Sequence, residues 1–472
     1  MYTFPSLIAG QEVAGGALHK VHNPFNQTVV GAVHQASADH VERALQRGHE
    51  AERDAAALPA WRRREILQRL QQLLMLNELE LATLIQQEAG KPIALARTEV
   101  RRAADTLAFA AGEVARNGEL LDLGLAEPGE GRWGIVRRFP LGLISAITPF
   151  NFPLNLVVHK LAPAIAAGCP IVLKPSPLAP LSTFRLAQLA LEAGLPEPMI
   201  SVVMPDLLDL APLVSDPRVK VLTFTGSAPV GWQLKAQARR QKVLLELGGN
   251  ASAIVCADAD LDRSVHRVAI GGFAYAGQSC ISVQRVLVQQ DIVEDFAAHL
   301  GAHLQTSALA GDPADEATLC GPVINAAAVQ RLESWLKEAR DAGASVLTGG
   351  EWNGPILQPT VLLNVPAHCK LAAEEAFGPI VCLETYNLLD EAIERVNSSR
   401  FGLQTGLFTQ DIRAIWRAFE RIEVGALIHD DVPTFRVDQM PYGGVKDSGL
   451  GREGPRSAIE EYTEPRVLAL RV

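Results

Sequence analysis

The sequence predicts an α/β protein made of two doubly wound α/β domains, one of them Rossmann-like, and three observations carry that expectation. At 472 residues the chain exceeds what one ordinary hydrophobic core absorbs, so two or more domains are expected. Residues 36 to 118 show helical periodicity, with apolar side chains three and four apart in SADHVERALQRGHEAERDAAA and WRRREILQRLQQLLMLNELELATLIQQEAG. From about residue 138, short apolar runs alternate with helical stretches, the pattern of βαβ units around a mainly parallel sheet with helices on both faces.

In the first lobe the runs are LGLISAIT, a helix after Phe152-Pro153, PIVLKPS, a helix over about 182–193, ISVVM, VLTFTGS, another helix, and KVLLELGG. The second lobe repeats the scheme with ASAIVCA, QRVLVQQ, a helix at 292–305, ASVLTGG, PTVLLNV, IVCLETY and TGLFTQ. The seam between them is placed near Gly248-Gly249. The terminal stretch EEYTEPRVLALRV (460–472) alternates apolar residues and would be an exposed edge in a monomer, so pairing with another subunit is expected.

Composition narrows the function classes. With 48% hydrophobic and 20% charged residues the chain is ordinary globular protein, not disordered. A net charge of −10 disfavours nucleic acid or an anionic membrane as partner, while leaving room for a small anion held by a few local cations. The N-terminal MYTFPSLIAGQEVAGG has no basic start before an apolar run and does not read as a signal peptide. No apolar stretch is long and glycine-poor enough to span a bilayer. Six widely spaced cysteines without a CxxC pair point to reduced thiols and a cytoplasmic location. No metal site is expected: there is no HExxH, and His299 and His303 lack a third clustered ligand. GEGRWG (129–134) and GLGREG (449–454) match GxGxxG, but neither sits between a strand and a helix within a βαβ unit, so both are read as turns.

Five stretches could carry chemistry. PFNFP (149–153) ends a strand and opens a helix, and its prolines would hold the Asn151 amide in a fixed orientation, unless Asn151 only forms the turn. LKPSP (173–177) puts Lys174 just beyond a buried strand, where α/β sheets bind ligands, or where a lysine snorkels to solvent. FTGSAPVG (224–231) reads strand, glycine turn, helix, so Ser227 and the free N–H groups there could hold a phosphate. ELGGN (246–250) ends the apolar run VLLEL with Glu246; burial would raise its pKa and suit a general base, the alternative being a Glu paired with a nearby cation. AYAGQSC (274–280) sets Cys280 among small residues with no histidine close by.

In this order, and followed by EEAFGPIV (374–381) and PYGGVKDSGLGREG (441–454), these motifs resemble the NAD(P)-dependent aldehyde dehydrogenase superfamily essentially from end to end. The resemblance implies that Cys280 is the nucleophile, forming a thiohemiacetal and then a thioester. Asn151 and the Cys280 backbone N–H would donate to the oxyanion, and Glu246 would activate the hydrolytic water. It also implies NAD or NADP, with Ile147, Phe150, Lys174, Ser176, Gly226, Ser227, Leu247, Glu375 and Phe377 as cofactor contacts. Among these, Lys174 matches the adenosine ribose contact, Ser227 the pyrophosphate contact, and Glu375 with Phe377 the nicotinamide end. One departure is Pro177, which stands where NAD-preferring members commonly carry a ribose-binding glutamate, leaving NADP open. Phe150 replaces a frequent tryptophan.

By the same resemblance Arg101, Arg102, His159, Ser279, Ile281 and Arg436 fall in the segments that line the substrate pocket. Such cations would suit a small anionic aldehyde: a semialdehyde, phosphonoacetaldehyde or sulfoacetaldehyde. The alternative is that Arg436 pairs with Asp430, Asp431 or Asp438 while the tandem arginines face solvent. The implied domains are 1–117 with 139–247 for NAD(P) binding, 248–441 for catalysis, and 118–138 with 455–472 as a small β oligomerisation extension in a homodimer or homotetramer. Two rival functions are a CoA-acylating semialdehyde dehydrogenase and a catalytically silent structural member of the fold. Glu246 weighs against the first, and the intact Cys280, Asn151 and Glu246 against the second.

Overall fold

The computed structural model describes residues 2–116, 118–306 and 310–472. An eight-stranded sheet gathers the first lobe, in the order Gly449–Leu450, Lys242–Glu246, Val221–Thr225, Ile144–Ile147, Ile171–Lys174, Ile200–Val202, Ser6–Ile8, Gln11–Val13. The five inner strands from Lys242–Glu246 to Ile200–Val202 run parallel, and antiparallel strands close both ends. Every residue of Val221–Thr225 is buried, as a parallel strand covered by helices on both faces requires. Register sets the functional level: Ile147 lies beside Lys174, Phe224 beside Ile147, and Thr225 beside Glu246. Four neighbouring strands therefore end together at one carboxyl edge, where ligands of such sheets bind.

The second lobe is a seven-stranded sheet running Ser345–Thr348, Thr360–Leu363, Ile380–Tyr386, Arg285–Gln289, Ser252–Val255, Gln404–Phe408, Ala426–His429. Only the first of these pairings is antiparallel. A third sheet joins Thr463–Arg471, Arg132–Pro140 and Gly118–Asp122. Its nine-residue register from Thr463–Pro140 to Arg471–Arg132 satisfies one side of the C-terminal strand within the chain, and the other side stays an edge. The three-residue strands of the N-terminus, such as Ser6–Ile8 on the border of the first sheet, were not anticipated, because so short a run has no readable period. Among the described residues, no helix is long and apolar enough to cross a membrane.

Two local devices aim the site. The helix Asn155–Ala167 is buried all round and has no side-chain cap of its own. Its first N–H groups, on Leu154 and Asn155, donate instead to Glu99 Oε1 at 3.0 and 3.1 Å, and Glu99 Oε2 accepts from Lys91. This anchors the PFNFP turn from the far side. The cysteine loop is approached through Tyr275, Ala276 and Gly277, at φ of 52°, 53° and 63°. A non-glycine residue held in that region costs of order 1–3 kcal/mol and persists only where its surroundings over-determine it. Here Tyr275 is buried, its hydroxyl donates to Ala89 O at 3.0 Å, and Lys91 lies over both its ring and that of Phe152.

Candidate active site

A cleft of about 520 Å³ brings Asn151, Glu246 and Cys280 together. Phe150, Gly226, Ser227, Leu247, Glu375 and Phe377 line it, as do Arg102, Ser279, Ile281 and Arg436. Ile147 and Lys174 end neighbouring strands and Ser176 follows two residues after Lys174, but none of the three is among the residues that line the cleft. His159 lies beneath it, fully buried. Arg101 is a correction: its side chain is 60% exposed and pairs with Glu78 at 2.9 Å, because its neighbour Arg102 is the one turned toward the cleft.

The cysteine end of the cleft is closely built. Gly249 permits it, since a Cβ there would lie 2.4 Å from Cys280 O. Asn151 Nδ2 donates to Gln278 O at 3.0 Å, which points the amide at the cysteine loop and leaves its second N–H free. Cys280 N–H has no acceptor among the described residues. Burial pushes the Cys280 thiol up to about 12, against the opposing pull of a hydrogen bond with Tyr442 and the charge on Arg436. Glu246 is buried with Oε2 unpartnered among the described residues. Burial, reinforced by the charge of Glu453, holds its carboxyl well above the usual carboxylate range.

On the cofactor side, Ser227 precedes the helix Ala228–Gln237 without using its side chain as a cap, so hydroxyl and helix N–H groups are open together. Glu375 Oε1 accepts from Gly249 N–H at 3.1 Å, and burial pushes its carboxyl up to about 7. Gly248 makes this approach possible: a Cβ there would lie 2.3 Å from Glu375 Oε2. The Phe377 ring meets Phe150 edge-on, with centroids 5.8 Å apart. Lys174 is lowered by burial, the response of an ammonium with no anion beside it. Pro177 is exposed and brings no carboxylate to that edge; its carbonyl is 2.8 Å from His19 Nε2. These residues fit a nicotinamide dinucleotide.

Beyond the sulfur the cations are sorted unequally. Arg102 is held bidentately by Asp438, at 3.0 and 2.9 Å, and the same carboxylate takes Asn155 at 3.2 Å and His159 Nε2 at 2.9 Å. Asp430 and Asp431 are taken by Arg263 and Arg267. Arg436 is left over. Its side chain is only 7% exposed, its nearest carboxylate oxygen, on Glu453, is 3.9 Å away, and its Nε has no partner among the described residues. Its other close neighbour, His159 Nε2 at 3.3 Å, is no acceptor while it donates to Asp438. Burial disfavours charge on His159, and Arg436 adds to this, so the imidazole stays neutral.

A sulfur, an amide and a raised carboxyl meeting over the carboxyl ends of parallel strands, beside an open helix N-terminus, is the layout of a nucleotide-dependent dehydrogenase. The chain belongs to the aldehyde dehydrogenase family, whose sequence profile matches residues 12–468. It is 41% identical to a 3-sulfolactaldehyde dehydrogenase of Priestia aryabhattai, over 96% of this chain and 94% of that one. Aldehyde dehydrogenase 21 of Physcomitrella patens, solved with its reaction product succinate, superposes with a TM-score of 0.97 at 39% identity, covering 100% of this chain and 98% of that one. A glyceraldehyde-3-phosphate dehydrogenase of Methanocaldococcus jannaschii, solved with NADP, gives 0.93 at 34% identity over 98% and 100%. The protein is an NAD(P)-dependent oxidoreductase acting on aldehydes, with NAD or NADP as cofactor.

Sequence reasoning missed Tyr442, Glu453, Arg331 and Trp335. The first two lie inside PYGGVKDSGLGREG, quoted as a signature without its side chains being read. Arg331 and Trp335 are four apart on the helix Ala326–Asp341 and turn one face to the cleft, a spacing that was available.

Proposed function

We propose that the protein oxidises a short anionic aldehyde to its carboxylic acid, and the observation that carries this is the unmatched Arg436. A buried guanidinium without a carboxylate in hydrogen-bond range is expensive unless a ligand anion completes it. Its Cζ lies 3.6 Å from the centre of the Tyr442 ring, whose hydroxyl is 3.0 Å from Cys280 Sγ. One phenol ring thus separates cation from nucleophile, so the acidic group must follow the aldehyde carbon within a few bonds.

Cys280 Sγ adds to the carbonyl carbon, and the displaced electron pair becomes an oxyanion received by Asn151 Nδ2 and Cys280 N–H. A bound nicotinamide nucleotide supplies the acceptor for the hydride that leaves this thiohemiacetal. Ser227, Lys174 and Glu375 would hold that nucleotide, and Phe150 with Phe377 would wall its reacting end. Glu246, ionised, takes a proton from water, which attacks the thioester carbon and releases the acid and the thiol. A buried base beside the sulfur favours water over CoA as acyl acceptor. The C-terminal strand and its two partners form a separate sheet with a free edge, which supports the expected oligomerisation extension and a subunit pair.

The test is NAD(P)H formation across neutral and anionic aldehydes of two to four carbons, with either cofactor, for the wild type and Arg436→Leu. We expect the variant to lose roughly a hundredfold in kcat/KM for the anionic aldehydes relative to the neutral ones, as losing a charge-assisted contact implies. An unchanged ratio overturns the anionic reading, and a strict requirement for CoA overturns hydrolysis.

A further inference from the structure

We propose that Tyr442 is a catalytic residue: its hydroxyl donates a hydrogen bond to Cys280 Sγ and stabilises the thiolate that attacks the substrate. The inference rests on Cys280 as nucleophile and on nothing about which aldehyde is oxidised.

The geometry is direct. The hydroxyl oxygen lies 3.0 Å from Sγ, and Cys280 is its only hydrogen-bond partner among the described residues. While the sulfur carries its proton either group can donate; once the sulfur is a thiolate, only the phenol can. Burial keeps the Tyr442 phenol protonated well beyond the ordinary tyrosine range, so it acts as a donor and not as a base. The contact is held from two directions. Tyr442 N–H donates to Glu453 O at 3.0 Å and Glu453 N–H returns a bond of 2.6 Å to Tyr442 O, fixing the backbone. The Arg436 guanidinium covers the ring face, while Ile281 and Leu403 pack around ring and sulfur. A cation over the ring draws electron density from the phenol and strengthens it as a donor.

The need for such a donor follows from the surroundings of the sulfur. Burial opposes the thiolate, and Glu375 and Glu246 are negative when ionised. Among the described residues, no side chain other than Tyr442 hydrogen-bonds to Cys280. Proton balance is simple: the thiol proton leaves to solvent or base, the phenol keeps its own, and the O–H shifts from a shared contact to full donation toward sulfur.

Tyr442→Phe removes the oxygen and keeps the ring under Arg436. The experiment is the rate of Cys280 alkylation by iodoacetamide against pH, with Cys280→Ala subtracting the other cysteines and no aldehyde present. We expect the variant's profile to move to higher pH, with alkylation near neutrality slowed roughly tenfold and the loss recovered at alkaline pH. Replacing Tyr442 by 3-fluorotyrosine, a stronger donor of nearly the same size, should move the profile the opposite way. A residue that merely fills space would leave both profiles on the wild-type curve, and that result overturns the proposal. If instead Cys280→Ala still oxidised aldehydes, the nucleophile itself would be misassigned.

Discussion

Two buried lysine–glutamate pairs serve this protein in opposite ways. Lys91 with Glu99 and Lys160 with Glu453 are alike in composition, and none of the four side chains is more than 3% exposed. Glu99 spends both oxygens, one on Lys91 and one on two N–H groups opening the helix behind Asn151. Lys91 also lies 3.6 Å over the Phe152 ring, so this pair is closed on all sides. Lys160 is equally well served, by Thr223, Thr225 and Glu453 Oε1 at 3.0, 2.8 and 2.6 Å. Glu453 Oε2 is not: it lacks a hydrogen bond among the described residues and lies 3.9 Å from Arg436. The closed pair is a fastening, and the open one is part of the charge balance of the cleft. What separates them is the unsatisfied atom, not burial or residue type.

The sharpest break of this comparison is Lys91→Met. It strands a buried carboxylate whose remaining partners are uncharged, and losing one member of a buried pair costs about 3–5 kcal/mol. Denaturant unfolding should show that loss, with the double variant Lys91→Met/Glu99→Gln regaining part of it. Lys160→Met should lose less stability, because Arg436 remains near Glu453. Equal losses for the two lysine variants would erase the distinction.

The same contrast explains what could be read from the chain. Strand ends and their turns were legible, because PFNFP, LKPSP, FTGS and ELGGN each announce a local change of direction and carry their side chain at the turn. The charge balance was not legible, because its partners are remote: Arg102 meets Asp438 across 336 positions and Lys160 meets Glu453 across 293. GLGREG opens on the antiparallel edge strand Gly449–Leu450 and not on a parallel strand of a βαβ unit, yet Glu453 within it is buried and its charge acts on Glu246. The tandem arginines show the limit most simply. Sequence alone could not say which of Arg101 and Arg102 faces inward, because that depends on where Asp438 is delivered.

A smaller effect tests the open pair. Burial and then the negative charge of Glu453 raise Glu246, so its ionised, base-competent form is lost as pH falls through a raised pKa. Glu453→Gln keeps an acceptor for Lys160 and removes the neighbouring charge. Ionisation of Glu246 then becomes easier, and the acid limb of kcat against pH should move to lower pH, with the alkaline plateau little changed. If Glu246 and Glu453 did not interact, the limb would stay where it is. A shift to higher pH would mean that Glu453 assists the ionisation of its neighbour through Lys160 or Arg436 instead of opposing it.

The smallest effect belongs to Arg101. Its pair with Glu78 is exposed, and such pairs contribute about 0–1 kcal/mol. Arg101→Ala should therefore change stability by less than about 0.5 kcal/mol and leave kcat and KM for anionic aldehydes at wild-type values. Arg102→Ala, one position on, should not be silent. Asp438 is buried and held far below the usual carboxylate range: burial alone would raise it, but the hydrogen bond from His159 and the charge and hydrogen bonds of Arg102 prevail. Without Arg102 that carboxylate keeps a neutral imidazole and one amide as hydrogen-bond partners, so Arg436 becomes the nearest compensation for its charge. An arginine drawn toward Asp438 is less free for a substrate anion, and KM should rise for anionic aldehydes more than for neutral ones. Matching kinetics for the two alanine variants would place both arginines outside the pocket and return the anion site to Arg436 alone.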